Sequence, residues 1–271
     1  MEEIKEKTSD EYAENPEEVL NEQELKELEE VKKENGEKLK EKPEDKGKRR
    51  RFGPTTEEIV AAWEPKTKLG QEAKNGEIKN IDEILDGGRK ILEPEIVDKI
   101  LHVKSDLLSI GQSKGKFGGG KRRAWRQTQR KTKEGNVPTF AAMAVVGDEN
   151  GHVGVGVGRS KETLPARDKA TRKAKLNLIK IRRGCAAFDC ACSELHTVPF
   201  EVTGKSGSVR IKLMPAPQGT GLVVGDEIKK ILKMAGIKDI YSKTFGRTRT
   251  TFNTIKAVMD ALEKTNVGGG K

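Results

Sequence analysis

TFAAMAVVGDENGHVGVGVGRSKETLPARDKATRKAKLNLIKIRR, residues 139–183, is the stretch whose reading decides the fold. From Phe140 to Val146 it is apolar, and Val145 and Val146 favour a strand. Asp148-Glu149-Asn150-Gly151 supplies a turn, because Asn-Gly tolerates the positive φ that a tight hairpin demands. The return strand alternates Val153, Val155 and Val157 with Gly154, Gly156 and Gly158. A period of two turns the valines to a core and leaves the glycine face bare. Such a face admits either a closely packed helix or backbone, or an approaching RNA. The next segment leans towards RNA. Leu164-Pro165 signals a helix start, and Ala166, Ala170, Ala174, Leu178 and Ile181 then make one apolar stripe. Arg167, Lys169, Arg172, Lys173, Lys175 and Lys180 crowd the other faces beside a single acid, Asp168. Solvated helix faces ordinarily mix signs, and this one hardly does.

Charge is divided along the chain. Its 271 residues carry a net +10, yet residues 1–50 hold 12 basic and 18 acidic side chains, so the remainder bears net +16. A body so basic expects a polyanion. No apolar run reaches membrane-spanning length and no signal peptide opens the chain, which predicts a soluble cytoplasmic protein without a membrane partner. Residues 1–52 read as a charged tail, disordered or marginally helical around Leu20, Leu25, Leu28 and Val31. Residues 53–92 read as an arm, with a short helix from Thr55 through Trp63 that Pro65 ends. Within the arm, residues 66–70 show no period and residues 81–85 are a short apolar run. Pro94 opens the next helix, with Ile96, Val97, Ile100 and Leu101 inward, and residues 106–110 read as a strand.

Residues 111–138 form a long glycine-rich loop dense in cations. Lys114, Lys116, Lys121, Arg122, Arg123, Arg126, Arg130, Lys131 and Lys133 are interleaved there with Phe117 and Trp125. Lysine and arginine meet phosphates and aromatics stack on unpaired bases, so RNA contact is expected. Gly115-x-x-x-x-Gly120-Lys121 imitates a nucleotide-binding loop, but Arg122 stands where the Ser or Thr ligand of magnesium belongs. No buried strand leads into it either, and no nucleotide is expected.

All three cysteines fall within eight residues, and Cys185, Cys190, Cys192 and His196 run C-x4-C-x-C-x3-H. An odd cysteine count argues against a disulfide framework, and the set is a complete tetrahedral one for a structural Zn(2+). The alternative is a connector with reduced thiols in which His196 merely starts a strand. Beyond it, residues 196–202 and 208–214 read as a strand pair joined through 204–207. Asp226 caps a helix with Ile228, Ile231, Leu232 and Ala235 inward, and Gly236 stops it. Residues 237–245 follow as a strand, then a last helix capped at Thr250 or Thr251 with Phe252, Ile255, Met259 and Leu262 as its stripe. Residues 266–271 end the chain as a flexible tail.

FAAMAVVGDENGHVGVGVG, the helix around RKAKLNLI, HTVPFEVTGKSGSVRIKLMPAPQGTGLVVG and KKILKMAGIKDIYSKTFG together resemble the universal ribosomal protein five family of the small subunit. WEPKTKLG and RRGCAAFDCAC resemble its archaeal form. Residues 1–50 have no counterpart in that pattern, and the loop around 114–126 is longer than usual. The resemblance implies an α+β protein. A double-stranded-RNA-binding-like α-β-β-β-α domain would span 93–183 and a Cys/His connector 184–196, with a βαβα-type domain over 197–265. It implies a structural, non-enzymatic constituent of the small ribosomal subunit that supports assembly and decoding accuracy. Its partners would be ribosomal RNA, neighbouring small-subunit proteins and mRNA where it enters the subunit, with no homo-oligomer. RNA contact is then expected at the loop cations, at Trp125, and at Arg159, Lys169, Arg172, Lys173, Arg182, Arg183, Lys243, Arg247 and Arg249. Two other readings are a free double-stranded-RNA-binding regulator and a zinc-dependent or P-loop enzyme acting on RNA. Against the enzyme, no carboxylates are paired at catalytic spacing and no H-x-E…P-C-x-x-C pattern occurs.

Overall fold

The computed structural model of the chain describes residues 56–112, 122–186, 190, 192 and 194–267. The charged tail 1–52, the nucleotide-loop imitation 115–121 with Lys114, and the end 268–271 lie outside them. A turn forms at 148–151 as expected, but Asn150 does not take the positive φ that the Asn-Gly reading assigned to it. Asp148 Oδ1 accepts from Asn150 N and His152 N, and the positive φ falls on Glu149 (60°) and Gly151 (110°). It joins β3 (Gly135–Gly147) to β4 (His152–Ser160), antiparallel with Val145 opposite Val155 and Met143 opposite Val157.

Strand β3 is longer than the apolar run alone suggests, and one edge of it serves two partners end to end. Strand β1 (Lys104–Leu107) pairs with its last residues, and β2 (Trp125–Thr132) pairs with residues 135–142. Half of the segment read as loop is therefore a β-ribbon, turned at Lys133-Glu134 and projecting past the end of β4. Its sequence, WRQTQRKT, lacks the alternating apolar residues that announce a strand. Strand β1 lies earlier than residues 106–110, because its register follows β3. Strand β5 (Leu178–Lys180) closes the other edge against β4.

The glycine face is filled by a helix. The four arm helices are α1 (Thr56–Ala61), α2 (Lys68–Asn75), α3 (Ile81–Asp86) and α4 (Pro94–Ile100), and α5 (Thr163–Leu176) lies directly on β4. A Cβ at Gly154, Gly156 or Gly158 would run into backbone atoms of Ala166, Ala170 or Ala174. Those three alanines are fully buried. Between the two occupants a bare face permits, the helix is the one present, and no RNA reaches it. Helix α5 stops at Leu176 with Asn177 as its C-cap, so Leu178 and Ile181 leave the helical stripe for separate apolar clusters.

Met143, Val145 and Val153 pack on the opposite face, against the second half of the molecule. That half is a sheet of β6 (Val202–Ser206), β7 (Val209–Pro215), β9 (Ile240–Phe245) and β8 (Leu222–Val223), in that order, with β8 parallel to β9. Helices α6 (Asp226–Met234) and α7 (Thr251–Val267) cover its inner face. Gly204 repeats the device of β4, since a Cβ there would strike Ala257 O and Ala261. The valines of β4 and the buried residues of β6, β7, α6 and α7 form one continuous core. Residues 196–202 do not make a strand, because Pro199 has no N–H to donate; only Thr197 bridges, to Gly184. Strand β9 begins at Ile240, since the amides of Lys238 and Asp239 donate to His196 O instead.

The arm is more helical than its sequence suggests. Thr67 caps α2 by accepting from Gly70 N, and Gly76 (φ 81°) ends it. Glu93 accepts from Trp63 Nε1, Lys66 N and Thr67 N, which knots the arm together. Trp63, Ala73, Ile81, Ile84, Ile91, Ile96, Val97 and Leu178 give it a small core. Its acids then meet the main sheet. His152, 9% exposed, holds Asp148 Oδ2 at 2.6 Å through Nδ1 and Asp82 Oδ1 at 2.8 Å through Nε2.

This clamp is pH-sensitive. Burial disfavours the imidazolium, but the hydrogen bonds to Asp148 and Asp82 outweigh it and hold the His152 pKa above its ordinary value of 6.5. A raised folded pKa gives stability that is full below the unfolded value and is lost as pH climbs through the folded one. The thermal midpoint of the wild type should therefore exceed that of His152→Gln most near pH 6, with the margin closing at alkaline pH. A margin unchanged from pH 6 to 9.5, read by circular dichroism, contradicts a charged clamp.

Candidate nucleic-acid interface and metal centre

The β2–β3 ribbon carries exposed cations on both of its faces. Arg126 stands opposite Ala141, which stands opposite Arg159, so two arginines share one row across three strands. Arg126, Arg130, Lys131 and Lys133 are exposed, as are Arg122 and Arg123 at its foot. Trp125, on the helix side of the sheet, lies under the Arg167 guanidinium, 5.2 Å from ring centroid to Cζ. Arg167 Nε is buried with no hydrogen-bond partner among the described residues, so the stack on Trp125 holds it. Arg167 was readable as one of the helix cations, but nothing in the sequence pairs it with a tryptophan 42 positions earlier.

The basic face of α5 is partly neutralised from within. Lys175 Nζ meets Asp98 at 2.6 Å with both side chains largely buried, and Arg172 meets Glu95 at 3.3 Å. Lys180 sits between Asp86 at 2.8 Å and Asp82 at 3.3 Å. Those two hydrogen bonds raise the Lys180 pKa, that to Asp86 most. The one-signed helix of the sequence is thus a mixed-sign surface once the arm docks, with exposed Lys169 and Lys173 outside these pairs. Arg183 is likewise engaged, donating to Gly236 O and to Asn150, whereas Arg182 is exposed. Lys243, Arg247 and Arg249 are exposed in and after the last strand of the second sheet, and neighbouring Thr244 and Thr248 share a recess with Arg122 at the ribbon's foot. Lys114, Lys116 and Lys121 lie outside the described residues.

The four Cys and His residues come together. Reciprocal hydrogen bonds between Gly184 and Thr197 pin the two ends of the connector side by side. Cys185 and His196 flank that bridge and are brought within reach of each other. Cys190 Sγ lies 3.0 Å from Cys192 Sγ and 3.5 Å from His196 Nε2, and Cys192 Sγ lies 3.5 Å from Cys185 Sγ. All four ligand atoms fall within 4.8 Å of one another, a group able to hold a metal ion. The hydrogen bond between Cys190 and Cys192 draws the Cys190 pKa down to about 6 and pushes that of Cys192 up to about 11. The two opposite shifts express one shared proton.

A partner that the connector's own sequence does not announce fixes the imidazole. His196 Nδ1 contacts Asp239 Oδ2 at 2.9 Å, both side chains being buried, and Asp239 Oδ1 accepts from Gly221 N at 2.7 Å. With Nδ1 donating to the carboxylate, Nε2 turns its lone pair to the thiols. This carboxylate–imidazole pairing is the outer shell that metal-binding histidines almost always have.

Residues 124–182 match the family described as "Ribosomal protein S5, N-terminal domain", and residues 204–267 the "Ribosomal protein S5, C-terminal domain". The chain is 50% identical over 206 residues to a protein of Nanoarchaeum equitans named "Small ribosomal subunit protein uS5", covering 76% of this chain and 88% of that one. Proteins of the same name from Thermofilum pendens (46% over 204 residues, 75% and 94% covered) and Pyrobaculum aerophilum (47% over 207, 76% and 88%) are similar. No helix among the described residues is long and apolar enough to cross a membrane.

Proposed function

The chain belongs to the uS5 family of small-ribosomal-subunit proteins, and from that premise we propose that its β2–β3 ribbon is the part that reaches into ribosomal RNA. It is a structural constituent of the small subunit, and its role is not enzymatic. The observation that carries the ribbon's role is the row of Arg126 and Arg159 with exposed Arg130, Lys131 and Lys133 beyond them on a hairpin that outruns the sheet. A ribbon of this kind enters a groove or junction that a flat surface cannot, and its guanidinium groups pair bidentately with phosphates. Arg122, Arg123, Lys169, Lys173, Arg182, Arg247 and Arg249 extend the basic surface around it, and Lys114, Lys116 and Lys121 continue it in sequence. Trp125, held by Arg167, is a fixed platform at the ribbon's foot. Contact with neighbouring subunit proteins, with mRNA where it enters, and an influence on decoding accuracy belong to the same reading, as does a ribosome-bound place in the cytoplasm. The test is assembly. Changing Arg126, Arg130 and Lys131 together to alanine should release the chain from subunits at lower salt than the wild type, because each lost phosphate contact removes released counterions. Release at an unchanged salt concentration refutes the ribbon as an RNA anchor.

The metal centre takes zinc in this reading. Three thiolates and one imidazole are the donors zinc prefers, the set leaves no open coordination position, and Asp239 supplies the outer shell. Tetrahedral Zn–S bonds place sulfurs about 3.8 Å apart, so the Cys190–Cys192 pair would open slightly. Closed in this way the ion stabilises a connector poor in apolar residues and offers no site for catalysis. Purified protein should carry one zinc, and Asp239→Asn should weaken its retention against a chelator by about 10–100-fold. Protein without zinc, or indifference to the Asp239 change, contradicts the assignment.

A further inference from the structure

One face of the second sheet is left open, and its residues are sorted in an informative way. Inward go Val202, Gly204, Val209, Ile211, Leu213 and Ile240, under α6 and α7. Outward, the register stacks three rows. Lys205, Arg210 and Phe245 stand side by side, then Thr203, Lys212 and Lys243, then Met214, Tyr241 and Val223. Tyr241, Phe245 and Val223 are 40, 47 and 49% exposed. Lys212 and Lys243 are directly opposite, a like-charge cross-strand pair that costs stability on its own. Only Lys212 is relieved, by Glu201 at 2.6 Å; among the described residues Lys243 rests over the Phe245 ring at 5.7 Å and neither it nor Arg210 has an ion-pair partner. Next to this face, Lys205, Arg210, Lys212, Phe245 and Lys264 border a recess of about 460 Å³.

We propose that this face is a docking surface for an unpaired segment of the small-subunit ribosomal RNA, with bases stacked on Tyr241 and Phe245 and phosphates on Arg210, Lys212 and Lys243. The inference rests on the ribosomal reading above and adds a second RNA contact to that of the ribbon. Charge selects a polyanion, because four cations face outward while the nearby carboxylates, Glu201 and Asp260, are paired with Lys212 and Lys264. The aromatics select an unpaired strand, since a duplex hides its base faces whereas every single-stranded base offers one. Tyr241 and Phe245 are four residues apart on one strand, about 13 Å, leaving Lys243 between two stacked bases to meet the phosphates that join them.

Small subunits containing the full chain, stripped of mRNA and irradiated to form zero-length crosslinks, test this directly. Mass spectrometry should find Tyr241 or Phe245 joined to unpaired ribosomal RNA nucleotides. The full-length double variant Tyr241→Ala/Phe245→Ala should bind a single-stranded oligouridylate at least about tenfold more weakly than the wild type. Tyr241→Phe and Phe245→Tyr, which keep the rings, should bind like the wild type. Crosslinks from this face to a protein, or no crosslinks together with unchanged binding by the alanine variant, overturn the docking surface alone. A wild-type chain that never enters subunits overturns the ribosomal reading along with it.

Discussion

Helix α5 rests on strand β4 at a separation that only glycine beneath and alanine above allow. Adding one methyl at Gly156 places it inside the helix backbone, and overpacking of that kind costs about 1–3 kcal/mol or more. The close contact seals one face of the first sheet with small residues along β4, while Leu107 and Phe140 pack beside the alanines. The other face is then free to send Val153 and Val145 into a core shared with the second half of the chain. Gly204 likewise lets α7 come close to the second sheet, but on the inner face that also carries Val202, Val209, Ile211 and Leu213, so that sheet joins the shared core on the side that α6 and α7 cover.

The seam also decides where RNA can bind. The glycine face is occupied, and the arm spends Asp98, Glu95, Asp82 and Asp86 on cations of α5 and β5. Exposed pairs such as Arg172–Glu95 contribute little. Lys175–Asp98 is different: its side chains are 14% and 10% exposed, so removing either partner strands a charge at about 3–5 kcal/mol. These cations fix the arm, and uncompensated positive charge remains on the ribbon and on the open face of the second sheet.

Patterns confined to a few residues were readable, and arrangements that depend on register were not. The valine–glycine alternation located β4 and its buried face, but a period of two says only that the other face is bare. What fills it is set by Ala166, Ala170 and Ala174, whose backbone must come within reach. The Cys/His cluster 185–196 is local and so its coming together was legible, whereas Asp239, 43 positions after His196, becomes its partner only when β9 is in place. Helix α2 was hidden because Gly70 and short length leave it little stripe. Tyr241 and Phe245 look like the outward half of any half-buried strand until pairing with β7 sets them among Arg210 and Lys212.

Native-state hydrogen exchange of the full chain tests most directly whether the seam holds both halves in one core. Amides of β4 and α5 should open with the same free energy as those of β7 and α7, and Gly156→Ala should lower all of them together. If Gly156→Ala strips protection from β4 and α5 while β7 and α7 keep theirs, the halves are independent and the seam is a local feature.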